Sequence, residues 1–310
     1  MHSVERGSLG HHLATLASAF ACALVTSAVA SQLAAQESSA QSREPVIAHC
    51  RAGNCPRWAT TADANETVVV HQLFASQIDS ASSVQLPRWV AYRLVAPAIG
   101  VASLLPREWH VDELVSEDLT LRMAENAQAR VLQPDLSNSQ DRDYRLTEVT
   151  LLAAEQGRLT PMTSFSGTPF WDELNLLSNR AQLPSALRLG AWSRLDQALN
   201  ELAAKQQTPT EAEAATIYVV SGPASAVSES GAGFFKAVAL GDQKAAFFFP
   251  ADTQSHRGYC EAEIALERVE FMTGLTLFPA ASASQAGSLS AKLGCSPAPH
   301  NLTETRNDRN

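Results

Sequence analysis

Residues 215–251, "ATIYVVSGPASAVSESGAGFFKAVALGDQKAAFFFPA", hold three runs that read as β-strands: ATIYVVSG (215–222), GFFKAVAL (233–240) and KAAFFFPA (244–251). Each is dense in β-branched or aromatic residues, which suit a pleated, packed surface. Two earlier runs, ETVVVHQLF (66–74) and RWVAYRLV (88–95), have the same character. Between the two groups, Ala191 to Lys205 is helical in pattern, because Trp192, Leu195, Leu199 and Leu202 fall on one face. A second helix is expected over EAEIALERVEFMTG (261–274), with Gly274 as its C-terminal stop. Residues 110–145 are polar and irregular, with DLSNSQDRDY (135–144) reading as loop. Strands and helices are segregated rather than strictly alternating, which predicts an α+β domain.

The chain has 310 residues, 45% hydrophobic and 18% charged, enough for a sizeable core. Its net charge of −9 argues against capture of nucleic acid by a broad basic face, but leaves room for a local basic groove. At the N-terminus, Arg6, His11 and His12 precede the apolar run LATLASAFACALVTSAVA (13–30), which ends in small residues. That order is the pattern of a secretory signal peptide. A retained anchor is the competing reading, but the run is rich in Ala, Ser and Thr and barely long enough to span. The expected layout is a signal peptide over 1–35, a polar linker over 36–48, one folded domain over 49–298 and a polar tail over 299–310. Export to the periplasm or the extracellular space follows.

Cys22 falls in the signal, leaving Cys50, Cys55, Cys260 and Cys295. An even number in an exported chain implies disulfides, and four cysteines permit three connectivities. The short CRAGNC loop and the terminal pair suggest Cys50–Cys55 and Cys260–Cys295. No His/Cys spacing supports a zinc site.

Several fragments, in this order, resemble one family: HCRAGNCP (49–56), RWVAYRL (88–94), GRLTPMTSFSGTPFWDELNLLSN (157–179), GAWSRLDQAL (190–199), YVVSGP (218–223) and EIALERVEFMTGLTLFPA (263–280). The chain is similar to the secreted DNA/RNA non-specific endonucleases of the ββα-metal, or His-Me finger, class. The resemblance implies a central antiparallel sheet flanked by helices, DNA and RNA as partners, and Mg²⁺-dependent phosphodiester hydrolysis.

It also breaks at the residues that would perform the chemistry. The family's signature turn reads Asp-Arg-Gly-His followed by Leu-Ala-Pro. Here it is Glu155-Gln156-Gly157-Arg158, then Leu159-Thr160-Pro161. The family histidine takes a proton from the attacking water, and a guanidinium has no lone pair with which to do so. Nine residues after the Asn of Ser178-Asn179, where the family keeps its metal-binding asparagine, stands Arg188. Magnesium takes oxygen ligands, which arginine lacks, so no metal and no cofactor are expected. The helix carboxylate, a Glu in the family, is matched by Asp196, and Arg107 in PREWHVD matches the arginine thought to stabilise phosphate charge. Arg107, Arg158 and Arg188 would then be the nucleic-acid-binding residues.

Gly157 is expected to take positive φ and aim Arg158 sharply. His71, His110 and His256 are possible substitutes for the base, but none lies in the signature turn. Two guanidinium groups in one small site need an anion. The sequence leans toward an internal carboxylate, Asp196 first, with Glu155 or Asp172 behind it; the alternative is an external oxyanion such as phosphate. Three functions remain open: an impaired nuclease homologue, a slow nuclease with a rearranged site, or a binding or structural module on the nuclease scaffold.

Overall fold

The β-branched and aromatic runs pair into one seven-stranded antiparallel sheet. Its strands are β1 (Glu66–Val70), β2 (Ala75–Asp79), β3 (Pro87–Leu94), β4 (Ile217–Ala224), β5 (Gly233–Leu240), β6 (Gln243–Pro250) and β7 (Glu263–Ile264). Their order across the sheet follows their order in the chain. This computed structural model describes residues 46–58, 66–79, 87–126, 129–132, 148–151, 157–206, 216–224, 232–279 and 289–295. The signal segment, most of the linker and the tail lie outside the described residues.

Alternation along β5 and β6 explains why the sheet needs covers on both sides. Phe234, Val238 and Leu240 of β5 and Phe247 and Phe249 of β6 join a core with Trp192, Leu195 and Leu199. The intervening Phe235, Ala237, Ala239, Ala246 and Phe248 join a second core with Val269 and Met272. Successive strand residues point to opposite faces, so a run such as FFF is what a doubly covered strand requires. The expected α+β architecture, with a central antiparallel sheet flanked by helices, is the one observed. Helix α2 (Ser193–Lys205) covers the first face and helix α3 (Leu266–Thr273) the second. Gly274 ends α3 in the left-handed region at φ 73°, as its position predicts. Pro223 is tolerated in β4 because the ladder to β3 has already ended at Ser221.

Three expectations are corrected. ETVVVHQLF is not one strand: β1 and β2 form a hairpin, closed where the His71 N–H donates to the Phe74 carbonyl at 2.8 Å. The second helix starts at Leu266 instead of residue 261, because Glu263–Ile264 pairs with Phe247 and Ala246 at the sheet edge. The stretch 110–145 is not wholly irregular. It contains helix α1 (Glu117–Asn126), which sets Leu119 and Met123 against Trp109, Val115 and Leu177 in a small third core. Both disulfides join the expected partners, Cys50–Cys55 and Cys260–Cys295.

Between β3 and β4 the chain leaves the sheet, and this excursion carries the residues that the sequence marks as a site. A two-residue ribbon pairs Gly157–Arg158 with Arg180–Ala181. Gly157 is not at positive φ. It is glycine for a different reason: a Cβ there would lie 2.5 Å from Leu183 Cδ1 and 2.8 Å from its Cβ.

Helix α2 is tied to the sheet by a charge pair. Lys236, at the β5 position between Phe234 and Val238, points at α2 and donates to the Asp196 carboxylate. The two residues are 0% and 5% exposed. The ammonium also stands 4.1 Å from the centre of the Trp192 ring. Burial pushes the Asp196 carboxyl up and the Lys236 ammonium down, and their contact opposes both shifts.

Removing one member of such a pair strands a buried charge, which costs about 3–5 kcal/mol, whereas replacing both with apolar groups is often near neutral. Asp196→Ala should therefore lower unfolding free energy by about that amount, and Asp196→Leu with Lys236→Met should recover most of it. Denaturant titration would show this; a single mutant as stable as wild type would contradict it. For Gly157→Ala, the collision with Leu183 should cost about 1–3 kcal/mol in the same measurement.

Candidate functional site

The site grows from a series of backbone locks around the Gly157–Arg158 ribbon. Asn179 is fully buried, and its side chain serves main chain only. Its Oδ1 accepts from the Thr160 N–H at 2.7 Å, and its Nδ2 donates to the carbonyls of Thr160 and Leu174 at 3.1 and 3.0 Å. Ser221 of β4 donates to the Leu159 carbonyl, fastening the ribbon to the sheet. Ser164 then donates to Asn200 on α2 at 2.6 Å. These contacts fix the backbone from which Arg158 projects.

Arg158 is half-buried and held from three sides. Its guanidinium carbon lies 4.5 Å from the centre of the Trp109 ring, a cation–π contact. Nη2 donates to the Arg107 carbonyl at 3.1 Å and to Asn175 Oδ1. Trp109 is itself steadied by the small core under α1. Asn175 is fully buried and hands its amide hydrogens to the Pro106 carbonyl and to Asp172 Oδ1, at 3.3 and 3.2 Å. The same Asp172 oxygen stands 3.5 Å from His110 Nε2. A polar chain thus runs from Arg158 through Asn175 and Asp172 to His110.

Arg188 enters from the other side, directly after the single helical turn Ser185–Leu187. The backbone then leaves helical geometry at Gly190, where a Cβ would sit 2.8 Å from the Ser255 carbonyl oxygen. Burial, and after it the like charges of Arg107 and Arg188, lowers the Arg158 guanidinium to about 10. It is still a cation at neutral pH. The like charges acting on it are those of Arg107 and Arg188, and the Arg107 guanidinium itself donates to the Ala102 carbonyl at 3.4 Å. The Nε atoms of Arg158 and Arg188 are buried and meet no acceptor among the described residues.

The remaining candidates separate from this cluster. Asp196 does not share it, since its carboxylate is engaged by Lys236 beneath α2. The internal arginine–Asp196 pair favoured from sequence is therefore replaced by a lysine–aspartate pair within the core. Asp172 reaches Arg158 only through Asn175, and Glu155 lies outside the described residues. His71 is committed to Asp112, at 2.9 Å. His256 is exposed in the loop before Arg257.

Trp109 and Asn175 escaped the sequence reading, although Trp109 is two residues from Arg107 and Asn175 lies inside the resembling stretch 157–179. Neither residue type advertises a site. Their roles arise from where the ribbon places Arg158.

In chemical terms the cluster offers several N–H donors, three positive charges and an aromatic wall. At 158 and 188 it offers no proton acceptor.

No family model matches the chain. The nuclease of Serratia marcescens is 25% identical to it over 288 residues, which are 87% of this chain and 94% of that protein. A crystal structure of the EndoG/EndoGI complex aligns with 71% of this chain and 89% of its own at a TM-score of 0.49 and 18% identity. The chain is a homologue of the Serratia nuclease along most of its length.

Proposed function

We propose that this protein is an exported member of the nuclease family that engages nucleic-acid phosphate through Arg107, Arg158 and Arg188 and hydrolyses it poorly or not at all. The observation that carries the reading is the surroundings of Arg158. A guanidinium occupies the place of the family's base, with its Nη2 already donating to the Arg107 carbonyl and Asn175. It cannot accept a proton from water, and at a pKa of about 10 it remains charged at physiological pH. General-base catalysis contributes about 10²–10⁴-fold, so its loss alone is a large defect. Export rests on the N-terminal signal pattern and on two disulfides, which suit an oxidising compartment.

The residues do not fit the family's Mg²⁺. That ion requires close to six oxygen ligands in octahedral geometry. The amide oxygens at hand are occupied, Asn175 Oδ1 by Arg158 and Asn179 Oδ1 by the Thr160 N–H. Arg188 adds like charge where a ligand would stand. No step is therefore assigned to a metal.

A slower chemistry has one support. His110 stands 3.5 Å from Asp172, at the end of the chain leading to Arg158. It is the histidine through which a rearranged site would work, and any residual hydrolysis should then disappear in His110→Ala.

Purified mature protein incubated with plasmid DNA and RNA in Mg²⁺ should degrade them at least about 10²-fold more slowly than an active relative. Arg158→His combined with Arg188→Asn should raise turnover, and either change alone should do little, because base and metal act on one water. Rapid digestion by wild type that EDTA abolishes would overturn the proposal.

A further inference from the structure

We propose that the arginine cluster is a receptor for a phosphomonoester dianion, such as the phosphorylated end of a nucleic-acid strand, in preference to an internal phosphodiester. This rests on the reading that the cluster faces nucleic-acid phosphate and adds which phosphate it takes.

Charge comes first. Arg158 donates to the Arg107 carbonyl, the Nε atoms of Arg158 and Arg188 are both buried, and the like charges acting on Arg158 are those of Arg107 and Arg188. The nearest carboxylate by hydrogen bonding, Asp172, is screened from Arg158 by the Asn175 amide and faces His110. Three cations with no carboxylate in contact among the described residues favour the ligand with more negative charge. An internal diester carries one charge, whereas a monoester carries close to two at neutral pH.

Donor geometry leads to the same ligand. Arg158 has spent Nη2 on the Arg107 carbonyl and Asn175, and its face on Trp109. What remains is Nη1 and the Nε–H, and that Nε is buried without an acceptor among the described residues, as is the Nε of Arg188. Leaving buried donors unmade is unfavourable, and an anionic acceptor relieves it. Two free edges on separate arginines, with Arg107 beside them, match an acceptor with several equivalent oxygens. A monoester presents three terminal oxygens, and a diester presents two.

The rest of the chain works against the alternative. Tight binding along a polynucleotide backbone needs many cations in a row. This chain carries a net charge of −9. The net charge thus offers a long strand no broad basic face to follow, and a terminal group can enter the cluster without bringing its neighbours along. With guanidinium groups at 158 and 188, the bound end is retained and not turned over.

The test uses the mature protein with both disulfides intact, at low salt, by fluorescence anisotropy. The probes are one short single-stranded DNA sequence with hydroxyls at both ends, the same strand with a 5′-phosphate, and the same strand with a 3′-phosphate. Either phosphorylated strand should bind about tenfold or more tightly than the hydroxyl form, and inorganic phosphate should compete. The advantage should vanish in Arg158→Gln and in Arg188→Gln but persist in Arg194→Gln, because Arg194 is engaged elsewhere with the Ser255 carbonyl. Arg188→Gln is the safer variant, since Arg188 is only half-buried; Arg158→Lys keeps the charge at that position but removes the Nε donor, and should also lose the advantage. A nucleoside monophosphate that competes as well as the phosphorylated strand would identify the free monoester as the ligand; a strand that binds far more tightly would identify the strand end. Equal binding of all three strands overturns this inference and leaves the nucleic-acid reading standing. Binding of none of them overturns both.

Discussion

Strand β5 has no side open to water. Every residue from Gly233 to Leu240 is buried, with one set of side chains under α2 and the other under α3. That double burial constrains its neighbours, since each face must meet a complementary apolar surface. It also decides the fate of Lys236, which cannot reach solvent and must find a carboxylate inside. Asp196 is the partner, and Trp192 covers the ammonium from the side. Asp196 is thereby drawn into the cohesion of the sheet and helix.

That diversion leaves the arginines without Asp196 as a counter-ion. Positions 158 and 188 both hold guanidinium groups. The surrounding framework is nevertheless well ordered by hydrogen bonding. Asn179 locks three backbone groups, Asn175 bridges Arg158 to Asp172, and Trp109 walls one face. Preorganisation of this kind suits recognition of an anion, because the cost of ordering the donors is met on folding and not on binding.

The long apolar strands were legible in the sequence because burial on both faces writes continuous hydrophobic runs. Gly274 and both cysteine pairs were legible for similarly local reasons. The β1–β2 hairpin was hidden, since ETVVVHQLF has no glycine or proline to announce its turn. Helix α1 was hidden too, because Leu119 and Met123 are few apolar marks in a charged stretch. Gly157 was recognised as special for the wrong reason; the close approach of Leu183 cannot be read from residues twenty-six positions away in sequence. The expectation that Arg158 and Arg188 share a site came from the resemblance. The engagement of Asp196 by Lys236 depended on strand pairing and helix docking together, although a lone lysine inside GFFKAVAL was the clue.

The excursion between β3 and β4 has a kinetic consequence. Leu94 pairs with Ile217, so Arg107, Arg158 and Arg188, with Trp109, Asn175 and Asn179, lie within one long chain loop closed by that contact. Closing a long loop costs entropy before any of its contacts can form, and folds dominated by such distant pairings assemble slowly. Neither disulfide spans the loop: Cys50–Cys55 lies before it and Cys260–Cys295 after it. Oxidation therefore staples the two ends of the domain without shortening the search that joins its middle. The β4–β6 meander can form early from neighbouring residues, while the arginine cluster must wait for β3 to dock. That interval is a window in which β4 presents an unpaired edge, open to the wrong partner.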